Sequence, residues 1–229
     1  MKPIAAITLA CMLCVYIDSH AQLDAPPDED RTIGQTVVDA ELVDEHGNSL
    51  RVSDLAGKPL IVSPIFLSCP HACPMITESL RAGLSNIGQP GEHYNILSVS
   101  FDPADTIEDL RSYRENLGLP DGWILAVSPN KTLDAFLESL DFNYSPVPGG
   151  GFAHANVVAF LTPDQTVSQY LHGLSYEEIA IRRALMTASS GPSLVAKYRG
   201  VIFAVMAIAA LALAFVIIAT GQRKSGAAA

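Results

Sequence analysis

Short apolar runs alternate along the middle of the chain with segments whose apolar residues recur at helical spacing. The run Leu60-Ile61-Val62-Ser63-Pro64-Ile65-Phe66-Leu67 reads as a buried strand, and Met75 to Leu84 as the helix that follows it. Asn95 to Phe101 is a second apolar strand, ending at Asp102-Pro103. Thr106 to Asn116 is a helix through Ile107, Leu110 and Tyr113, with Glu108 and Asp109 in its first turn. Trp123 to Val127 is a third strand, and Asn130 to Leu140 a helix with Leu133, Phe136, Leu137 and Leu140 on one face. A Pro/Gly-rich loop over 143–151 leads to strands Val157–Leu161 and Thr166–Leu171, joined at Thr162-Pro163-Asp164-Gln165. Tyr176 to Ala188 closes the series as a helix. Ahead of all this, Thr36 to Arg51 alternates loosely around Glu45-His46-Gly47-Asn48, the pattern of a β-hairpin. The expectation is one α/β domain over 32–188 with an N-terminal β-hairpin extension.

Both ends depart from this alternation. Met1 to Ala21 carries Lys2, an apolar stretch from Pro3 to Ile17, and small residues at Ser19 and Ala21, a signal-peptide pattern with cleavage expected before Gln22. Cys11 after Leu9-Ala10 allows a lipoprotein reading, but the apolar core before it is very short. Residues 22–31 are Pro-rich and acidic and read as a flexible leader. Residues 189–200 form a linker. Val201 to Thr220 carries no charge, and at about 1.5 Å per residue such a helix rises roughly 30 Å, the thickness of a bilayer's hydrocarbon core. A single C-terminal transmembrane helix over 201–220 and a cytoplasmic tail over 221–229 are therefore expected. The domain would then face the periplasmic or extracytoplasmic side of the cell (inner) membrane, an orientation set by the signal peptide and agreeing with Arg223 and Lys224 inside.

Composition narrows the partners. Lys plus Arg is 14 and Asp plus Glu 24, a formal net charge of -10 in 229 residues, which excludes nucleic acid as an expected partner. Of four cysteines, Cys11 and Cys14 fall in the N-terminal apolar run, so one candidate pair remains, Cys69 and Cys73.

That pair lies in Ser68-Cys69-Pro70-His71-Ala72-Cys73-Pro74, the turn from the first strand to its helix, at the strand's C-terminal end, where open α/β sheets place their sites. Unpaired N–H groups and the positive end of a helix dipole favour thiolate there. Thiolate binds soft metals and attacks disulfides. A structural disulfide is the bland alternative, but so small a loop constrains the unfolded chain little. The third member by position is His154, in Gly149-Gly150-Gly151-Phe152-Ala153-His154-Ala155-Asn156. Two thiolates and an imidazole suit Cu(I) and can hold Cu(II), and structural zinc would need a fourth ligand that is not obvious. Other histidines and Met75 read differently. His71 could lower the pKa of the cysteines or add a weak ligand, and reads as a solvent-facing tuner; His172 reads as a strand-end surface residue, and His46 and His93 as turn residues. Met75 is expected to pack in its helix rather than ligate through its thioether, and Asp102 to shape the turn at its strand end rather than bind metal directly.

The chain resembles the Sco/SenC family, thioredoxin-fold copper chaperones of cytochrome c oxidase assembly. The resemblance covers about residues 32–188. It rests on Cys69-Pro70-His71-Ala72-Cys73-Pro74, on Ser98-Val99-Ser100-Phe101-Asp102-Pro103-Ala104-Asp105-Thr106, and on His154 before Val157-Val158-Ala159-Phe160-Leu161-Thr162-Pro163-Asp164. It implies a thioredoxin-like fold and copper ligands Cys69, Cys73 and His154. It also implies a thiol reductant and a copper-accepting subunit of cytochrome c oxidase as partners. Two departures leave the subfamily open. Many members carry an N-terminal anchor rather than a C-terminal one, and Ala126-Val127-Ser128-Pro129-Asn130 differs from the usual Thr-Gly after the tryptophan strand. The expected function is a metallochaperone rather than an enzyme. The competing reading is a thiol-disulfide oxidoreductase that uses Cys69 and Cys73 as a redox-active pair. Against it, such enzymes use C-x2-C spacing and a cis-proline opposite the dithiol, where this chain has C-x3-C and Ala153-His154. No Thr/Ser-x-x-Cys site with a nearby arginine supports a peroxidase.

Overall fold

The structure, a computed structural model, describes residues 25–191, 201 and 203–212. Residues 1–191 and 192–229 form two units. The first opens with a short helix, α1 (Glu29–Thr32), and the hairpin β1 (Glu41–Asp44) and β2 (Ser49–Arg51). A 3-10 turn over Val52–Leu55 leads to β3 (Leu60–Ile65), α2 (Ala72–Leu84), β4 (Asn95–Ser100), α3 (Ile107–Leu117), β5 (Trp123–Val127) and α4 (Thr132–Ser139). A second hairpin, β6 (Tyr144–Pro146) and β7 (Phe152–His154), precedes β8 (Val157–Leu161), β9 (Val167–His172) and α5 (Glu178–Ser190).

Seven strands form one sheet in the order β2-β1-β5-β4-β3-β8-β9, and β6 and β7 pair separately. β3, β4 and β5 run parallel, as the helical crossovers between them require, while β8, β9 and the β1–β2 hairpin add antiparallel edges. β3 and β8 are buried at every position, which explains why both read as continuous apolar runs rather than alternating ones. Helix boundaries follow local chemistry. Thr106 caps α3, its hydroxyl taking the Asp109 N–H while the Asp109 carboxylate takes the Thr106 N–H, and left-handed Gly118 ends it. Gly83 of α2 lies against Ile181 of α5, where an added Cβ would meet the end of the Ile181 side chain and push it aside.

Residues 29–32, which overlap the end of the stretch expected as a flexible leader, form a turn of helix tied to the domain. The Asp28 N–H donates to Asp141 at 2.7 Å, Arg31 pairs with Asp141, and Glu29 meets His172 at 2.8 Å. The 143–151 stretch is not simply loop, because β6 and β7 flank a shorter tip. The helix expected to cross a membrane over 201–220 is overturned: among the described residues no helix is long and apolar enough to cross one. Val201 and residues 203–212 are helical and exposed, and ten consecutive residues rise only about 15 Å, half the hydrocarbon thickness. Among the described residues the fold class is therefore α/β with a β-hairpin extension and without that helix. The remainder of 201–220, the signal peptide expected over 1–21, most of the linker and the tail over 221–229 lie outside the described residues.

The hairpin is locked to the domain by a buried ion pair. Glu45, 3% exposed, receives Arg114 Nε at 2.7 Å and the Leu125 N–H at 3.3 Å, while Arg111 Nε donates to the Glu45 carbonyl at 2.8 Å. Arg114→Met strands that carboxylate in the core and is expected to cost about 3–5 kcal/mol. Urea unfolding followed through the single tryptophan, Trp123, measures it. A change below about 1 kcal/mol would mean that Glu45 finds solvent in the variant.

Candidate functional site

Helix α2 starts without a side-chain oxygen cap. His71 holds the N-cap position at φ -139°, ψ -70° and makes no capping bond. The Cys73 N–H donates instead to Cys69 Sγ at 3.4 Å. Sulfur placed there faces first-turn amides and the positive end of the helix, so its anion is favoured. The Cys69 pKa falls from 9.0 to about 5, chiefly through the hydrogen bond from the Cys73 thiol and then through the N–H groups of Cys73, His71 and Ala72. Cys73 shifts upward. It keeps its proton because it donates to Cys69 and is buried, and the Asp105 carboxylate adds to the effect. Both cysteines are free thiols.

The turn before Cys69 is held from two sides. The Cys69 N–H donates to the Phe66 carbonyl at 3.2 Å, and the Leu67 N–H donates to Asp105 Oδ2 at 2.7 Å. Ser100, the last residue of β4, donates its hydroxyl to the same Asp105 oxygen at 2.5 Å.

His154 ends β7, opposite Tyr144 of β6. The tip of this hairpin carries Gly149, Gly150 and Gly151 at φ 95°, 101° and 84°, backbone that a side chain would strain. The His154 Nδ1–H donates to the Ala155 carbonyl at 2.9 Å, which leaves Nε2 with its lone pair. Three aromatic rings frame the imidazole: Phe66, Phe101 and Phe142 at centroid distances of 5.9, 5.3 and 5.6 Å.

An open cavity of about 600 Å³ has Cys69, His71, the glycine tip and His154 in its wall, while Cys73, 1% exposed, is not part of that wall. The structure thus brings Cys69 and His154 to one space. Among the described residues, no three His, Cys, Asp or Glu side chains are grouped so as to hold a metal ion. Cys69 and His154 share a cavity, but with Cys73 they are not grouped as a ligand set. His71 is exposed, as expected of a solvent-facing residue. His172 ends β9 beside Glu29, and His46 and His93 are exposed. Asp102 shapes its turn by accepting the Ala104 N–H at 2.9 Å. Met75, expected to pack inward, is 48% exposed.

Two features escape inspection of the motif alone. One is Asp105, whose role lies in a contact 38 residues back along the chain. The other is the aromatic frame. Its signal was present, because Phe66 and Phe101 each follow directly on a parallel strand, at the end where sites form.

The SCO1/SenC family model matches residues 29–188. Among solved structures, a candidate electron transfer protein from Aquifex aeolicus VF5 is 33% identical, over 71% of this chain and 98% of that one, with a TM-score of 0.67. Arabidopsis thaliana ScoI, solved with copper bound, is 17% identical over 67% of this chain and 98% of that one, with a TM-score of 0.59. BsSco, a member of the Sco family of cytochrome c oxidase assembly proteins in which a disulfide switch was identified, is 21% identical, over 69% and 98%, with a TM-score of 0.57. At those identities the last two bear on the fold alone, which is thioredoxin-like. No curated protein matches.

The asymmetry of the two thiols has a direct readout. In the reduced protein, alkylation of Cys69 should be nearly independent of pH above about 6 and fall about tenfold per unit below its pKa of about 5, as the thiolate is protonated. Cys73 should resist throughout that range. Peptide mapping after timed iodoacetamide labelling distinguishes them; equal labelling at pH 6 would contradict the assigned polarity.

Proposed function

The chain belongs to the SCO1/SenC family, and from that premise we propose that it is a copper metallochaperone, delivering copper to the binuclear centre of cytochrome c oxidase during assembly. Copper is cargo, taken up by Cys69, Cys73 and His154 and passed on by ligand exchange. The observation that carries this reading is that the Cys69 thiolate and the lone pair of His154 Nε2 belong to side chains lining one open cavity. Two sulfurs and one imidazole are a soft set suited to Cu(I). The hydrogen bond from Nδ1 to Ala155 fixes the ring's tautomer, as the outer partners of metal-binding histidines do. The relatives solved with copper support the choice of metal. The reading places the domain outside the cytoplasm, which the apolar pattern of residues 1–21 supports.

A second reading, thiol-disulfide exchange, draws on the pairing of an exposed-side thiolate with a buried thiol. The Cys69 thiolate would attack a client disulfide, forming a mixed disulfide and releasing one client thiolate. Cys73, giving up its proton, would then attack Cys69 Sγ, release the second client thiolate and leave a Cys69–Cys73 disulfide. The client gains two electrons, and a thiol reductant restores the pair.

Anaerobic titration of the reduced full chain with Cu(I), then Cu(II), tests the first reading. One copper per chain is expected, with thiolate-to-copper charge-transfer bands lost in Cys69→Ala and Cys73→Ala and displaced in His154→Ala. A wild type that holds no copper would sink the chaperone and leave disulfide reduction as the better account.

A further inference from the structure

We infer that Asp105 is a positioning residue for the exchange site, acting through a single oxygen that sets the turn bearing Phe66 and Cys69. Its consequence for copper rests on the function proposed above; its geometry does not. The parallel ladder between β3 and β4 ends where the Phe101 N–H donates to the Ile65 carbonyl at 3.0 Å. The next rung would take the Leu67 N–H, but after Phe101 the chain turns away at Asp102-Pro103. Asp105, three residues into that turn, supplies the missing acceptor at 2.7 Å. The same Oδ2 takes the Ser100 hydroxyl at 2.5 Å, so the carboxylate is itself held by the end of β4. Asp102 is not available for this, because its carboxylate turns back on the Ala104 N–H.

What hangs from Leu67 is both halves of the site. On one side, the Phe66 carbonyl takes the Cys69 N–H at 3.2 Å. On the other, the Phe66 ring stands edge-on to Phe152 and His154, at 5.3 and 5.9 Å. Releasing the Leu67 amide therefore loosens the thiolate's turn and one wall of the imidazole's frame together. Because both hydrogen bonds fall on one oxygen, a carbonyl in that place serves as well as a carboxylate. For the turn, position rather than charge is the property assigned to Asp105; its charge acts separately, on the Cys73 proton.

The full chain bearing Asp105→Asn, which keeps the acceptor, is compared with Asp105→Ala, which removes it. Cu(I) affinity is measured by competition with a chromophoric chelator, and exposure of the Leu67 amide by hydrogen exchange without metal. Asp105→Ala should lose about 10–100-fold in affinity and exchange Leu67 faster, while Asp105→Asn should stay within about threefold on both. If Asp105→Ala does not fold, Asp105→Glu, which displaces the oxygen by one methylene, takes its place with the same expectation. Wild-type behaviour of the Ala or Glu variant overturns the inference. So does equal loss in the Asn variant, which would assign the effect to charge. A wild type that fails to bind copper would remove the chaperone reading only, and Leu67 exchange would still decide the role of Asp105.

Discussion

The open first turn of α2 is the constraint from which the site follows. A helix start exposes N–H groups that need an acceptor, and most helices supply an oxygen from Ser, Thr, Asp or Asn. Here His71 makes no cap and Cys69 Sγ receives the amide instead. Sulfur is a poor acceptor as a neutral thiol and a good one as a thiolate, so helix formation and ionisation support each other. The proton that Cys69 gives up has a counterpart in Cys73, which donates its own to the anion and is buried. One structural need thus yields two unlike sulfurs from a symmetrical-looking pair.

A proline brings the histidine to them. β8 pairs with β3 only through Leu60, Ile61 and Val62. Continuing that register would set Val157 against Pro64, which has no N–H to offer, and the ladder stops there. Beyond it β8 is free of β3, and residues 154–156 diverge into the β6–β7 hairpin. Beside it a cluster of rings packs together, with Phe66 and Phe101 contacting each other at 5.6 Å and Phe101 and Phe152 at 5.4 Å. The rings offer the imidazole no hydrogen-bond acceptor, and Nδ1 turns to the Ala155 carbonyl. That leaves Nε2 for chemistry.

Much of this was legible in the sequence. β8 is found where the apolar run predicts it, at Val157–Leu161, and β3 over Leu60–Ile65 of the longer run expected. The two cysteines stand at the strand-to-helix turn because a change of period from strand to helix is visible there. The β6–β7 hairpin was not legible, since Pro146, Pro148 and three glycines argue for loop and only cross-strand pairing with Tyr144 makes His154 a strand residue. Asp105 was hidden for a related reason. Asp102 and Asp105 look alike in the motif, and only the end of the β3–β4 ladder tells which one meets Leu67. Apolarity over 201–220 suggested a span, yet among the described residues the helix is too short for one.

An unfinished ligand set suits a carrier better than a finished one. Three preassembled donors would hold copper with their full affinity, and release would then require breaking a rigid site. When binding must also draw His154 and the cysteine turn together, part of the interaction is used for that ordering. The apparent affinity drops by the fraction of chains that are closed, about tenfold for each 1.4 kcal/mol. On the proposed chaperone reading, an open cavity lined by Cys69 and His154 would admit an acceptor's ligands while the carrier's own are still engaged. Asp105 takes the Leu67 N–H just ahead of the thiolate's turn, while the opposite wall carries the three-glycine tip. On the proposed reading, a thiolate held in a fixed turn opposite a glycine-rich wall would suit a site that passes its metal on.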